Sequence, residues 1–473
     1  MPTADVTGGV SARRWQAFAV CLAAGFMTLL DVSIVNVALP SIESALHASS
    51  SQVQWIVAGY TLAFGLVLVP AGRLGDLHGR RVMFLVGLGV FVLTSALCGA
   101  ALSGTWLVIG RVLQGVAAGM LNPQVIAMIQ ELFSGAERAR AFGMYGACVG
   151  ISTAVGPLLG GVLIEVFGAE QGWRAVFLVN VPVGLVTLGL AWRLLPRVRP
   201  HGAERWLDLP GLLLLGGTVL VFMLPFVAGQ GASSLRWLLV LLSIVGAVAF
   251  WRWERRYERS GRRPVFTAGL LGTATYSRGA VFALLYFGGF TSIFLLSTLY
   301  LQSGLGLTAL QCGLVLTPFA LAGAVSAWLS GRWVSRFGRR LVIVGVLAML
   351  AGVVAADVIA VVADGATAAW WIGGVLAISG FGNGIVIAPN QALTLADVPV
   401  SEAGVAAGAL QTGQRIGTAV GLAASTSVFF ATVASTGGDF SHALALGLRV
   451  VIGVLLVALV VAVVDQWRRW RTS

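Results

Sequence analysis

Two ionisable residues lie deep inside long apolar runs, Asp31 in Leu30-Asp-Val-Ser-Ile-Val-Asn-Val-Ala-Leu-Pro40 and Arg111 in Arg111-Val-Leu-Gln-Gly115. A lone carboxylate at the centre of a bilayer costs ~2.5–3.5 kcal/mol on insertion scales, so each charge needs a cavity or a partner. Asp31 falls about 16 residues into its run, ~24 Å along a helix from one face, and Arg111 about seven residues in from the other, ~10 Å. For a path of ~35 Å the two depths are similar, and the charges can meet. A carboxylate so placed can load and release a proton as its access alternates. Asp31 is therefore the candidate exchanging group and Arg111 the residue that tunes it, with a static interhelical ion pair as the other reading.

Other chemistry is excluded or unsupported. There is no GxxxxGK[ST] loop for an ATP-driven pump and no HExxH, and His47, His78, His201 and His442 are scattered. Cys21, Cys98, Cys148 and Cys312 sit far apart inside apolar segments without ligand spacing, so neither zinc nor disulfides are expected. We expect no enzyme, catalytic residue, metal or cofactor, with protons as the coupling ion.

A second group of residues suits moving parts. In Gly72-Arg-Leu-Gly-Asp-Leu-His-Gly-Arg-Arg81, Gly72 and Gly79 are read as permitting tight turns. Asp76, Arg80 and Arg81 can lock neighbouring helix ends by charge and dipole contacts. Gly156-Pro157 should bend its helix, and Gly146, Gly150, Gly160 and Gly161 allow close packing. Candidate cavity residues are Asn36, Trp55, Tyr60, Gln114, Tyr286, Asn383, Asn390, Gln411, Gln414 and Arg415. Asn122, Gln124, Gln391 and Phe290 belong to the same polar and aromatic set. Asp357 and Glu165 fall toward the outer helix ends, where water reaches them.

The elements that must hold these residues are set by composition. Of 473 residues, 58% are hydrophobic and only 10% charged, which excludes an ordinary soluble domain. Apolar stretches of spanning length occur near 15–39, 52–72, 81–102, 104–130, 138–163, 173–195, 209–229, 236–253, 277–302, 309–331, 341–363, 369–395, 403–432 and 443–468, fourteen in all. All 30 basic residues are arginine. With the N-terminus inside, 24 of them fall in inner loops or tails, Arg199, Arg205 and the Arg252–Arg263 run included. Only Arg174, Arg236 and Arg449 fall outside. Both termini are therefore expected on the cytoplasmic side of a multi-pass bacterial inner-membrane protein. The net charge of +12 is assigned to this asymmetry and not to nucleic-acid binding; the basic stretch from Arg252 to Pro264 suits anionic lipid.

The chain also repeats. Gly72–Arg81 returns 259 residues later as Gly331–Arg340. Ala136–Gly143 with Thr153–Gly156 returns 265 residues later as Ser401–Gly408 with Thr418–Gly421, and Gly115 and Gly119 map onto Gly380 and Gly384 at that same spacing. These are parallel halves of about six helices each. The domains expected are a six-helix bundle over 1–200, an inserted helix pair with a basic linker over 201–264, and a second six-helix bundle over 265–473. The second copy carries Ser335 in place of Asp76, and Arg415 aligns with Gly150.

With these motifs in order, the chain resembles the major facilitator superfamily and, within it, the 14-helix drug:proton antiporters. Asp31–Pro40 resembles the first-helix signature, Gly72–Arg81 the loop signature, Arg111–Gly115 the fourth-helix motif and Gly150–Gly161 the fifth-helix antiporter motif. The resemblance implies an all-α major facilitator fold, a gate at Gly72–Arg81, an export direction associated with Gly150–Gly161, and proton-coupled export of hydrophobic or amphiphilic molecules such as drugs or antibiotics. The expected partners are a small-molecule substrate and the bilayer, with the protein a monomer. A proton-linked importer, a narrow-specificity metabolite exporter and a non-transporting sensor or lipid-handling protein on the same fold remain the alternatives.

Overall fold

The computed structural model describes residues 4–197, 208–227, 237–262, 264–363 and 365–472. The expected Arg199, Arg205, His201, Arg236 and Arg263 lie outside the described residues. Among those described, fourteen helices are long and apolar enough to cross a membrane. They are α1 (Ala12–Leu46), α2 (Ser51–His78), α3 (Arg80–Gly99), α4 (Gly104–Leu132), α5 (Gly135–Gly168), α6 (Glu170–Leu194), α7 (Leu209–Phe226) and α8 (Trp237–Arg259). After a short helix at Ala268–Gly272 come α9 (Ala274–Gly304), α10 (Leu310–Phe337), α11 (Arg339–Val362), α12 (Thr367–Thr394), α13 (Val400–Ser435) and α14 (Phe440–Arg468). Most of the described arginines gather at the N-terminus of α1, at the α2–α3, α4–α5 and α10–α11 connections, and at the C-terminal ends of α6, α8 and α14. We call these the arginine-rich ends.

Helix boundaries follow local chemistry. Ser49 and Gln52 form a capping box before α2, in which each side chain accepts from the other's backbone N–H at 3.3 and 2.9 Å. Thr308 and Gln311 repeat it before α10, 259 residues on, so the duplication extends to a cap that the motif comparison missed. Gly79, at φ +100°, breaks α2 from α3 as expected, and Gly168, at φ +77°, breaks α5 from α6. Two stops were misplaced. α1 continues through Pro40 to Leu46, because one proline forfeits a single helical hydrogen bond in an otherwise apolar run. α8 runs on through the basic stretch to Arg259, since Trp, Arg and Glu sustain a helix until Gly261 turns the chain at φ +77°.

The chain divides into two compact units. One comprises residues of Met1–Ser134, Leu159–Leu270 and Val398–Thr412; the other comprises Gly135–Leu158, Leu271–Asp397 and Gly413–Ser473. In the first, a Cβ on Gly115 would overlap the Tyr60 carbonyl, so α4 lies directly on α2. In the second, a Cβ on Gly380 would overlap the Phe319 carbonyl, the equivalent pair of α12 on α10. Close packing through small residues is how helices associate where the solvent is as apolar as their side chains.

Candidate functional site

Asp31 and Arg111 meet. The Arg111 guanidinium donates to Asp31 Oδ2 at 2.6 Å, and the two side chains are 2% and 0% exposed. Asp31 Oδ1 accepts from Gln114 Nε2 and from Asn180 Nδ2, both at 2.9 Å. Each of these amides also donates to Ser95 Oγ at 3.1 Å, and Ser95 donates to the Phe177 carbonyl at 2.9 Å. Arg111 further reaches Gln114 Oε1 at 2.8 Å and the Ile56 carbonyl at 3.2 Å, while Tyr60 lies under its guanidinium with the ring centre 4.1 Å away. The Asp31 carboxylate of α1 is thus held by α4 and α6, while α2 contacts Arg111 and α3 accepts from the two amides, so that five helices meet in one cluster. A buried ion pair of this kind is tolerable because its remaining lone pairs and protons are satisfied.

Gln114 and Tyr60, read from the sequence as cavity residues, both contact Arg111 in this cluster. Asn180 and Ser95 were missed; the one available signal was an isolated polar residue in an apolar run.

Asp76 sits at a second junction. Its carboxylate accepts from the N–H groups of Gly404 and Val405 at 3.1 and 3.0 Å, in the first turns of α13, and from Arg80 at 3.1 Å. Arg80 also reaches Glu131 at 2.8 Å, the Ala127 carbonyl at 3.0 Å and the Val400 carbonyl. A carboxylate on exposed N–H groups at a helix start satisfies them and complements the helix dipole. Gly72 is not at a turn: it lies inside α2, and a Cβ there would overlap the Gly404 carbonyl. Its smallness permits the α2–α13 contact, which continues where Gly408 meets Leu68 and Val69.

The same contact recurs in the other unit between α10 and α5, where Gly331 meets Ala139 and Arg140 and Gly143 meets Ala327. There the helix start has no carboxylate equivalent to Asp76. Arg339, the counterpart of Arg80, turns to Asp465 at 2.8 Å and Asn390 at 2.5 Å, and Arg278 meets the same fully buried Asp465 at 3.1 Å. Asn390 is thus a partner of Arg339. Asp465 was not singled out from the sequence, because nothing in α14 signals that two arginines from other helices converge on it.

On α5, with Pro157 within the helix, Gly146 packs on Ala327 and Ala388 and Gly150 on Ala324, whereas Gly160 packs on Ile34 of α1. A Cβ on Gly161 would meet nothing within 4 Å, so no close approach requires a glycine there. Tyr286 donates to Asn383 Oδ1 at 2.9 Å beside a small cavity lined by Thr153, Phe290, Phe294, Phe319 and Asn383. Gln411 and Gln414 are buried, Arg415 is half-buried near Tyr145, and Asn36 and Trp55 are exposed. Glu165 is exposed as expected, while Asp357 is half-buried against Arg449 at 3.3 Å.

The Major Facilitator Superfamily profile matches residues 21–206 and 211–422. The chain belongs to that superfamily. It is a transporter, not an enzyme. Among curated relatives it is 36% identical over 430 residues to a probable actinorhodin transporter of Streptomyces coelicolor, covering 90% of this chain and 74% of the relative. It is 35% identical to a puromycin resistance protein of Streptomyces alboniger (96% and 92% covered) and 32% identical to a tetracenomycin C resistance and export protein of Streptomyces glaucescens (91% and 78%). Two solved major facilitator structures share the fold. The proton:xylose symporter XylE gives a TM-score of 0.67 at 14% identity, covering 94% of this chain and 95% of that one. The human organic anion transporter MFSD10 gives 0.66 at 15% identity, covering 95% and 99%.

Proposed function

We propose that this transporter is a proton-coupled exporter of hydrophobic or amphiphilic small molecules, drugs or antibiotics among them, in a bacterial cytoplasmic membrane, with its arginine-rich ends and both termini on the cytoplasmic side. Export is supported by relatives named for antibiotic resistance and export. Coupling to protons rests on one observation: a fully buried carboxylate, Asp31, paired with the buried Arg111 and held by two amides.

The cluster suggests the mechanism. A proton on Asp31 removes the charge that holds Arg111 and weakens the amide donations from Gln114 and Asn180, which join α1 to α4 and α6. Arg111 retains Gln114 Oε1 and the Ile56 carbonyl, so it is not stranded. Protonation thereby loosens α1 and deprotonation locks it, which ties helix packing to the proton. The α2–α13 contact at Gly72 and Asp76 serves as a cytoplasmic gate that closes in one state and parts in the other. Tyr286, Phe290, Phe294 and Phe319 offer apolar faces for a lipophilic ligand, with Asn383 as a polar contact.

The test is ethidium efflux from loaded cells with and without an imposed proton gradient. Loss of the gradient-dependent component of efflux in Asp31→Asn is the expected result; undiminished gradient-driven efflux in that variant would refute the assignment.

A further inference from the structure

We infer that the arginine-rich ends of α1, α3 and α6 form a binding site for the phosphate of an anionic phospholipid. A cavity of about 660 Å³ there is lined by Arg13, Arg14, Arg81, Arg193 and Arg197, with Trp192 at its edge. No carboxylate lines it among the described residues. Glu131, which lines an adjoining cleft with Arg80 and Arg81, is bonded to Arg80 at 2.8 Å. The guanidinium groups of Arg13, Arg81, Arg193 and Arg197 around one cavity repel one another unless an anion joins them, while Arg14 donates to the Leu132 carbonyl at 3.4 Å, and the arginine fork matches a phosphate geometrically. Arg81 stacks on Trp192, donates to its carbonyl, and keeps a buried Nε that meets no acceptor.

A lipid, as opposed to a free phosphate, is favoured by what adjoins the cavity. α3 and α6 expose Val82, Val86 and Leu93 and Val183, Val186 and Leu190 respectively, an apolar face for acyl chains directly beneath the cationic head. Trp192, 63% exposed, is the amphipathic side chain found at headgroup depth. This site is separate from the basic stretch at the end of α8, none of whose described arginines lines this cavity.

The experiment uses full-length protein in nanodiscs of phosphatidylcholine containing 10% phosphatidylglycerol, with lipid retained after detergent extraction counted by native mass spectrometry. Retention of phosphatidylglycerol over phosphatidylcholine is expected, falling roughly 30-fold in Arg193→Gln/Arg197→Gln, at about five-fold per arginine near a membrane surface. Arg255→Gln/Arg256→Gln on α8 should leave it within two-fold. Displacement by millimolar glycerol phosphate would support the site but assign it to a soluble phosphate. Equal retention of both lipids, or equal loss in the two double variants, would overturn it.

A separate set of contacts assigns a role to the inserted pair α7–α8: we propose that it braces α2 against α13. Leu212 of α7, Phe250 of α8 and Val265 beyond it form one apolar cluster with Val69 of α2, against which Ala409 of α13 also packs. Glu254 accepts from the N–H groups of Val265 and Phe266 at 3.2 and 2.8 Å, fixing the chain after α8. Thr267 then donates to Glu402 at 3.0 Å, two residues before Gly404. Asp208 holds the two helices together by accepting from Trp253 Nε1 at 3.0 Å and from the Gly211 N–H at 3.0 Å. The pair therefore grips both helices of the contact that we read as the gate, and it rests on that reading.

A cysteine replacing the buried Val405, in a background whose four native cysteines are serine, reports opening by its reaction with a membrane-impermeant maleimide in everted vesicles. Phe250→Ala and Thr267→Val should each raise the reaction rate at least five-fold without changing the yield of monodisperse protein. Unchanged rates in both would overturn the brace. A reporter that never reacts, even in the transporting parent, would instead refute the gate.

Discussion

Asp76→Asn is the sharpest perturbation of the α2–α13 contact. The carboxylate is 2% exposed and takes three charge-assisted hydrogen bonds, Oδ1 from Gly404 N–H and Arg80 and Oδ2 from Val405 N–H. An asparagine of the same shape keeps one oxygen for two of these donors but turns an NH₂ toward the third. One hydrogen bond to a charged group, worth about 1.5–3 kcal/mol, is lost, and the two survivors weaken with the loss of charge. Arg80 is not abandoned, because Glu131 and the Ala127 carbonyl still hold it. The net cost to the closed contact is therefore about 2–3 kcal/mol, a shift of roughly 30- to 150-fold in the ratio of open to closed states. While opening is rare, reactivity scales with the open fraction, so the Val405→Cys reporter should be alkylated roughly 30 to 150 times faster. A rate within two-fold of the parent would refute the latch role of Asp76.

Other consequences follow from the same packing. Gly72→Ala places a methyl group on the Gly404 carbonyl, so α2 and α13 must separate at a cost of about 1–3 kcal/mol; ethidium export should drop at least five-fold while Gly161→Ala, which meets nothing within 4 Å, exports within two-fold of the parent. Gly79→Ala forces a methyl-bearing residue into φ +100°, at roughly 1–2 kcal/mol, and should lower the melting temperature in detergent without altering substrate preference. Asp465→Asn removes the anion shared by Arg339 and Arg278 in a buried site, a loss of roughly 3–5 kcal/mol, and should cut the yield of monodisperse protein on size exclusion.

The sequence made much of this legible because helical rise converts position into depth. Asp31 and Arg111 could be set at one level from residue counts alone, and the 259- and 265-residue spacings paired glycines that prove to occupy equivalent contacts. Depth does not specify azimuth, however. Nothing in a run such as Phe-Leu-Val-Asn180 says which neighbouring helix its amide faces, so Asn180, Ser95 and Asp465 went unnoticed, as did the bonds of Gln114 and Asn390 to arginines. Glycine is equally silent about its role: Gly72 suggested a turn but supports a close approach, and Gly161 suggested close packing although a Cβ there would meet nothing within 4 Å. The boundary of α8 was lost for a third reason, since a basic run reads as a loop by charge although its residues are good helix formers.

The central claim, that Asp31 is where a proton is exchanged, is tested most directly in proteoliposomes that separate coupling from movement. Ethidium–ethidium exchange at equal pH on both sides requires only alternating access, whereas uphill accumulation under an imposed pH gradient requires a titrating group. The account predicts that Asp31→Asn retains exchange and loses gradient-driven accumulation. Accumulation by Asp31→Asn equal to that of the parent would contradict it and move the coupling site to another residue.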